Sequence, residues 1–294
     1  MAREVTEAHY LHERSGLEPV LQPPVKAPCG LAWIPQREVL LAATREGQLI
    51  QVDPVLGTRT LGADLGEAAV LAAAPDRERW LVVAREGHWT LGNMAGTVLS
   101  AGKHPFLGGM DGFFAGDLVV IVGDTAEGRA MWVLRDGEVV TRARLPAGSA
   151  VAASKDGTPL LCRSLPEGLA VIPLGPDSRA PKGEATGHRL RVAGSWVLGF
   201  TASGVCVWDH FGGAPRTMRL PELSAGDVSV DGQTIGLGTR QGAVVLAHLG
   251  RTDKRVRPDL VRAFSVPVTT VAFSSRGRWL ATGADGLRLW TWEA

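Results

Sequence analysis

The fold is decided by a stretch near the end of the chain, VTTVAFSSRGRWLATGADGLRLW (Val268–Trp290). It contains three short, mostly apolar runs, which are Thr270–Phe273, Trp279–Thr282 and Leu287–Trp290. The pair Asp285-Gly286 separates the second run from the third. Short apolar runs between such turn signals are typical of β-strands. The stretch therefore predicts an antiparallel β-meander.

A pair made of a polar residue followed by glycine recurs along the whole chain. Each pair lies between two short apolar runs, and successive pairs are separated by about forty residues. A period of that length indicates a repeat architecture, in which each repeat is one supersecondary unit. The pairs are Glu46-Gly47, Glu86-Gly87, Glu127-Gly128, Glu167-Gly168, Ser203-Gly204, Gln241-Gly242 and Asp285-Gly286.

Each unit predicts three clear strands and a fainter fourth strand, which in the first unit is Thr58–Leu61. Four-stranded antiparallel sheets repeated radially make a β-propeller, an arrangement that leaves little free sheet edge. We therefore expect an all-β protein, a single seven-bladed β-propeller over residues 1–294. Two segments, 220–226 and 258–264, have the pattern of a single helical turn each.

The stretch 268–290 resembles a WD40 repeat. The fifth unit carries the dipeptide of that family as Trp208-Asp209, with Gly187-His188 before its first strand. The first four units lack both dipeptides and have Glu where the family places its turn Asp. The resemblance implies that blades without the family's Asp–His network are held mainly by apolar packing. The matching positions are Val271, Phe273, Arg276-Gly277, Leu280, Ala281, Asp285 and Trp290 in the last unit, and Val228, Asp231-Gly232 and Ile235 in the sixth.

The resemblance also implies how the ring closes. The sequence ends just after the third strand of the last unit, and residues 1–28 precede the first unit as a closing strand and linker. An N-terminal strand is expected to complete the seventh blade, because joining the two chain ends covers an otherwise open sheet edge. Two segments suit this strand, Val5–His12 and Pro19–Gln22.

Composition limits the function classes. The formal net charge is +1, which argues against a nucleic-acid binder that works by neutralising phosphates. Of the 31 basic residues only five are Lys, an Arg bias that we interpret as that of a GC-rich bacterial genome. The N-terminus lacks the apolar stretch of a signal peptide, and the longest apolar run, Ala68–Ala74, is too short to span a membrane. We expect a cytoplasmic protein with neither nucleic-acid nor membrane partners.

Seven tryptophans recur at equivalent strand positions, which predicts that they pack between blades. The alternative is an aromatic cage for a sugar or another small ligand. Trp80, Trp196 and Trp279 begin second strands, and Trp89, Trp132, Trp208 and Trp290 lie in third strands.

The residues with catalytic or metal-binding chemistry form no recognisable motif. The three cysteines have neither zinc nor redox spacing and are expected to be buried free thiols, and no His-Glu-x-x-His, Gly-x-Ser-x-Gly or phosphate-loop pattern occurs. No metal or cofactor is predicted. The alternative is a propeller enzyme, a metal-dependent hydrolase or lactonase with its site in the central tunnel, where the inner strands offer Asp111, Ser149, Asp227 and Thr270.

One face of the ring is the best candidate for a binding surface. In a four-stranded meander, the turn between the second and third strands lies on the same side as the connection between blades, and such loops commonly carry binding on a rigid scaffold. The glycines of these turns are expected to supply the positive φ of a tight hairpin. The candidate residues are Arg45, Arg85 and Arg240 in the turns, and Lys26, Lys103, His104, Phe106, Lys182, Arg257 and Arg262 in the connections.

This face is mixed in character but carries several arginines, which suit bidentate contacts with carboxylates on a partner. We therefore interpret the chain as a non-catalytic protein–protein interaction scaffold or adaptor. Its expected partner is another protein chain or a peptide, within a multi-protein assembly.

Overall fold

The computed structural model describes residues 18–291 except 36, 75, 77, 154–158, 166–167, 174–188, 194–195, 202–203, 210–211, 221, 230–233 and 249–258. The described residues form β-strands, turns and bends, and no helix occurs among them. No helix in this part of the chain therefore has the length and hydropathy to cross a bilayer.

The strands fall into seven successive blades. Blade 1 contains β2 (Pro28–Trp33), β3 (Leu40–Thr44), β4 (Leu49–Asp53) and β5 (Gly57–Gly62). Blade 2 contains β6 (Ala68–Ala73), β7 (Arg79–Ala84), β8 (His88–Asn93) and β9 (Val98–Lys103). Blade 3 contains β10 (Gly108–Ala115), β11 (Leu118–Thr125), β12 (Gly128–Arg135) and β13 (Glu138–Arg144).

The second half of the chain follows the same plan. Blade 4 contains β14 (Ala150–Ala153), β15 (Pro159–Leu165) and β16 (Gly168–Pro173). Blade 5 contains β17 (Arg189–Ala193), β18 (Trp196–Thr201), β19 (Gly204–Asp209) and β20 (Gly212–Arg219). Blade 6 contains β21 (Leu223–Val228), β22 (Thr234–Thr239), β23 (Ala243–His248) and β24 (Asp259–Arg262). Blade 7 contains β25 (Thr270–Phe273), β26 (Trp279–Gly283), β27 (Leu287–Thr291) and the N-terminal strand β1 (Glu18–Leu21).

The blades are arranged as a closed ring, which confirms the predicted seven-bladed, all-β propeller. Within a blade, consecutive strands pair in antiparallel fashion. The first strands of neighbouring blades lie side by side, so that β2 contacts β6, β6 contacts β10, β21 contacts β25, and β25 contacts β2 again. Between blades 4 and 5, β16 also pairs with β20 at Leu169 and Gly213, and residues 174–188 lie outside the described part of the chain.

The N-terminal strand completes blade 7, as the sequence predicted. Glu18 pairs with Thr291, Pro19 with Trp290, and Leu21 with Leu289, all in antiparallel register. Of the two segments proposed for this strand, Pro19–Gln22 overlaps β1, whereas Val5–His12 lies outside the described residues. The edge of β27 is therefore covered by chain from the opposite terminus.

The two predicted helical turns are wrong. Residues 220–226 overlap β21, the inner strand of blade 6, and residues 258–264 overlap β24, its outer strand. In a helical turn, these segments would form hydrogen bonds only within themselves. As strands, they pair with β22 and β23 and satisfy the hydrogen-bonding groups at the edges of those strands. Pairing with the rest of the sheet therefore overrides the weak local helical pattern.

The core lies between the blades. Because successive side chains of a strand point to opposite faces, Leu41 of β3 packs toward Trp80 and Val82 of blade 2, and Leu40 packs toward Leu289 of blade 7. Both faces of a middle strand are thus buried. The sequences of the middle strands are continuous apolar runs for this reason. Packing between blades is confirmed for the almost fully buried tryptophans Trp80, Trp89, Trp208 and Trp290.

Candidate protein-binding face

The turn between β3 and β4 is hydrogen-bonded to both of the connections that flank it. The backbone N–H of Arg45 donates to the carbonyl of Ala27, in the connection that precedes blade 1, at 3.1 Å. The carbonyl of Gly47 accepts from the N–H of Leu65, in the connection that follows, at 2.9 Å. Turn and connections therefore lie on one face of the ring, as predicted.

The same arrangement recurs in other blades. In blade 2, the N–H of Arg85 donates to the carbonyl of Glu67, and the carbonyl of Gly87 accepts from His104. In blade 6, Arg240 donates to Glu222, and the carbonyl of Gly242 accepts from Phe264. We call this surface the loop face, defined by the turns at 45–48, 85–88, 126–127 and 240–242 and the connections at 22–27, 63–67, 104–107 and 263–269.

The turn glycines have the predicted conformation in four blades and not in blades 5 and 7. Positive φ angles of 78°, 91°, 117° and 81° occur at Gly47, Gly87, Gly128 and Gly242. Gly204 and Gly286 do not have a positive φ, so the prediction is wrong there. The carbonyl of Gly286 accepts from the N–H of Ala284 at 3.0 Å, and the residue forms an isolated bridge with Lys26. Gly168 and Gly204 begin strands β16 and β19.

Four of the predicted basic residues project from the loop face. Lys26, Arg45, Arg85 and Arg240 are all exposed. Arg85 forms an ion pair with Glu67, with Nε and Oε1 3.2 Å apart, but the two side chains are 60% and 36% exposed. Exposed pairs of this kind contribute about 0–1 kcal/mol, so the guanidinium can exchange this carboxylate for another at little cost.

Two predicted face residues are instead buried beneath the connection between blades 2 and 3. His104 is 7% exposed and Phe106 is 2% exposed, and their rings stack with centroids 5.3 Å apart. Atom Nε2 of His104 lies 2.9 Å from the carbonyl of Ala84, and Nδ1 accepts from the N–H of Phe106 at 3.2 Å. The connection crosses over the core between the two blades, and Phe106 packs into that core. The two side chains therefore anchor the connection.

Lys103 and Arg262 are exposed and are the last residues of the outer strands β9 and β24, directly before the connections. Lys103 pairs with His88 and Arg262 with Ala243, so both lie at the edge of the loop face. Lys182 and Arg257 lie outside the described residues.

A cleft of about 530 Å³ lies on blade 3, at the edge of the loop face, and was not predicted from the sequence. The guanidinium of Arg142 lies over the ring of Trp132, 4.6 Å from its centroid, and Arg144 forms an ion pair with Glu127. A usable signal was the Arg-x-Arg spacing of 142–144, because alternate residues of a strand project from the same face. We call this the blade 3 cleft and define it by Leu107, Glu127, Arg129, Trp132, Arg142 and Arg144.

Three of the four residues considered for the tunnel bind backbone groups. A carboxylate oxygen of Asp227 accepts from the N–H of Val228 at 2.8 Å, and its other oxygen accepts from Phe273 of blade 7 at 2.7 Å. Asp111 accepts from Gly112, and the buried hydroxyl of Ser149 donates to Pro146. Within the described ranges, no group of three or more His, Cys, Asp or Glu side chains could hold a metal ion.

The three cysteines are free thiols in the structure. Cys162 is buried, whereas Cys29 and Cys206 are partly buried. Burial raises the pKa of Cys162 to about 12 and also raises the pKa values of Cys29 and Cys206. All three are therefore protonated near neutral pH, which makes them poor nucleophiles and metal ligands.

Fold and face together define a seven-bladed β-propeller whose loop face carries exposed side chains of both charges. No protein-family model matches the chain, and no curated protein matches it in sequence. The structure is similar to the crystal structure of the β-propeller domain of Cps50 (Swd1) from Myceliophteria thermophila, with a TM-score of 0.72. That match covers 94% of this chain and 100% of the other at 12% identity, so it shows a common fold.

Proposed function

We propose that this protein is a non-catalytic interaction scaffold that binds another protein chain or a peptide across its loop face. The observation that carries the proposal is the hydrogen bonding of each basic turn to the connections on either side of it. Arg45, Arg85 and Arg240 project from backbone that is tied at both flanks, in blades 1, 2 and 6. The backbone that carries these charges is therefore already ordered before a partner binds, so binding costs little additional loop entropy.

The chemistry of the face favours a partner that presents carboxylates. Guanidinium groups bind carboxylates through two parallel hydrogen bonds, and the acidic neighbours Glu67 and Glu222 are themselves solvent-accessible. The likeness to another β-propeller supports the fold, and a rigid disc with a broad face is suited to several contacts with one chain. The proposal includes a cytoplasmic, multi-protein setting and neither catalysis nor a cofactor.

A charge-reversal experiment tests the proposal. Partners would be captured from the native host and identified by mass spectrometry with the wild type and with the triple variant Arg45→Glu, Arg85→Glu, Arg240→Glu. The matched control is Arg37→Glu, Arg276→Glu, Arg278→Glu, which makes the same change in net charge. Its residues are exposed in turns between first and second strands, on the opposite face.

We expect the loop-face variant to lose specific partners that the control variant retains. Retention of every partner by the loop-face variant would contradict the proposal. Metal analysis of the purified protein tests its non-catalytic part, because one divalent ion per chain would favour a tunnel enzyme instead.

A further inference from the structure

The blade 3 cleft has an exposed guanidinium whose stem is already held in place. Arg142 lies opposite Trp132 in the antiparallel register of β12 and β13, so both side chains project from the same face of the blade. The guanidinium stacks on the indole ring, 4.6 Å from the ring centroid. Arg142 makes no ion pair with any described residue, so its positive charge is oriented and available.

The second exposed guanidinium holds a carboxylate of the chain itself. Arg144 forms an ion pair with Glu127 across the cleft, and the two side chains are 80% and 73% exposed. An ion pair this exposed adds little to stability, so a carboxylate from a partner can replace Glu127. The contact also shows that the position in front of Arg144 accepts a carboxylate.

The guanidinium of Arg129 lines the cleft and is held by hydrogen bonds within the chain. Arg129 is largely buried, and its Nη1 donates to the carbonyl of Gly109 at 3.1 Å and to Oδ1 of Asp124 at 2.8 Å. Its charge is therefore neutralised, whereas those of Arg142 and Arg144 remain available for a ligand. Against these, the cleft itself presents the single carboxylate of Glu127.

The cleft is also lined by an apolar side chain, Leu107, that is exposed to solvent. Leu107 is 76% exposed, and its backbone N–H donates to the carbonyl of Asp124 at 2.7 Å. That hydrogen bond fixes the backbone from which the exposed side chain of Leu107 extends. An exposed leucine beside a stacked tryptophan is a surface that gains from contact with another apolar side chain.

We propose that the blade 3 cleft binds an acidic segment of another protein. Carboxylates of the segment pair with Arg142 and Arg144, and an apolar side chain of the segment packs against Leu107. This inference rests on the proposed scaffold function and adds to it one subsite with a defined ligand chemistry. A nucleic-acid backbone fits less well, because its phosphates could pair with the arginines but it has no aliphatic side chain to pack against the exposed Leu107.

Fluorescence anisotropy of the full chain with labelled probes tests the inference. The probes are a fluorescein-labelled peptide of alternating Glu and Leu, a peptide of alternating Glu and Ser, and a single-stranded oligothymidine of equal charge. We expect the Glu-Leu peptide to bind with a Kd below about 1 mM, more tightly than the other two probes, and more weakly at high salt.

Variants locate the binding in the cleft. Arg142→Gln with Arg144→Gln should weaken binding of the Glu-Leu peptide about tenfold, whereas the control Arg276→Gln with Arg278→Gln on the opposite face should not. Arg142→Lys keeps the charge without the planar stack and should give an intermediate loss. All four of these arginines are exposed, and equal melting temperatures would verify that the variants fold.

Three outcomes would overturn the inference: no saturable binding of the Glu-Leu peptide, equal binding by the cleft variant, or equally tight binding of the oligothymidine. These are distinguishable from failure of the scaffold proposal. If host partners are lost from the loop-face variant but bind the cleft variant as they bind the wild type, the scaffold proposal stands and the cleft subsite falls.

Discussion

Asp227 of blade 6 holds the inner strand of blade 7 through Phe273, whose backbone N–H donates to Oδ2 at 2.7 Å. The other carboxylate oxygen accepts from Val228 of its own strand at 2.8 Å. One side chain thus connects two blades next to the tunnel. This is a structural role for a residue that the sequence also offered as a metal ligand.

We predict that Asp227→Ala lowers the free energy of unfolding by about 1–3 kcal/mol, because the N–H of Phe273 loses its acceptor in a partly buried site. Asp227→Asn keeps one acceptor oxygen and should cost less. Urea unfolding followed by tryptophan fluorescence measures both. The control Asp117→Ala, whose side chain is 96% exposed, should stay within about 0.5 kcal/mol of the wild type. Unchanged stability in Asp227→Ala would refute the inter-blade role.

Removal of residues 1–24 should lower the melting temperature by at least about 5 °C. The deletion removes β1, which pairs with β27, and also removes Leu21, which packs against the core between blades 7 and 1. The edge of β27 would then lose its partner and be open to solvent or to other chains. Differential scanning calorimetry gives the melting temperature directly.

A shorter deletion separates the closing strand from the segment before it. Removal of residues 1–15 leaves β1 in place and should change the melting temperature much less than removal of 1–24. If both truncated proteins have the same melting temperature as the full chain, β1 does not hold the ring closed.

Substitutions of turn glycines should differ in cost according to what a Cβ would meet. Gly47 has a φ of 78°, and a Cβ there would lie 2.9 Å from the backbone N of Gly66. Gly128 has a φ of 117° but no atom within 4 Å of that position. We therefore predict that Gly128→Val costs about 1–3 kcal/mol through backbone strain and that Gly47→Val costs more, since strain and a backbone clash combine.

The control for this series is Gly286→Ala. A Cβ at Gly286 would meet nothing within 4 Å, and the residue lacks a positive φ, so stability should change by less than about 0.5 kcal/mol. Denaturant midpoints for the three variants rank the costs. An equal loss for Gly47→Val and Gly128→Val would show that the contact with Gly66 relaxes freely.

The repeat of turns could be predicted because a polar-glycine pair marks a hairpin through short-range sequence alone. The closing strand pairs residues from opposite ends of the chain, and it was expected only from the resemblance to WD40 repeats. The burial of His104 and Phe106 could not be predicted, because it depends on which blade interface the connection crosses.

The blade 3 cleft was missed for a different physical reason. Arg142 faces Trp132 only in the register that β12 and β13 adopt, and an irregularity between Val133 and Leu134 sets that register. A shift of one residue would project Arg142 from the other face of the blade. Strand pairing at this precision is determined by packing of the whole blade, and turn signals alone do not specify it.

Acid should destabilise the ring through His104. Burial lowers the pKa of this imidazole from its ordinary value of 6.5, and the hydrogen bond to the backbone of Ala84 only partly opposes that shift. The neutral ring is also the form whose Nδ1 can accept from Phe106. Because the unfolded chain then binds more protons than the folded one below about pH 6.5, the stabilisation is complete above that pH and is lost as the pH falls.

We predict that the melting temperature falls further between about pH 7.5 and about pH 5.5 in the wild type than in His104→Asn. The asparagine amide does not titrate, and its oxygen can accept from Phe106 in place of Nδ1. The variant also loses ring packing, so its melting temperature is expected to be lower at both pH values, and the informative quantity is the difference between them. Parallel losses in the two proteins would show that another group controls the acid response.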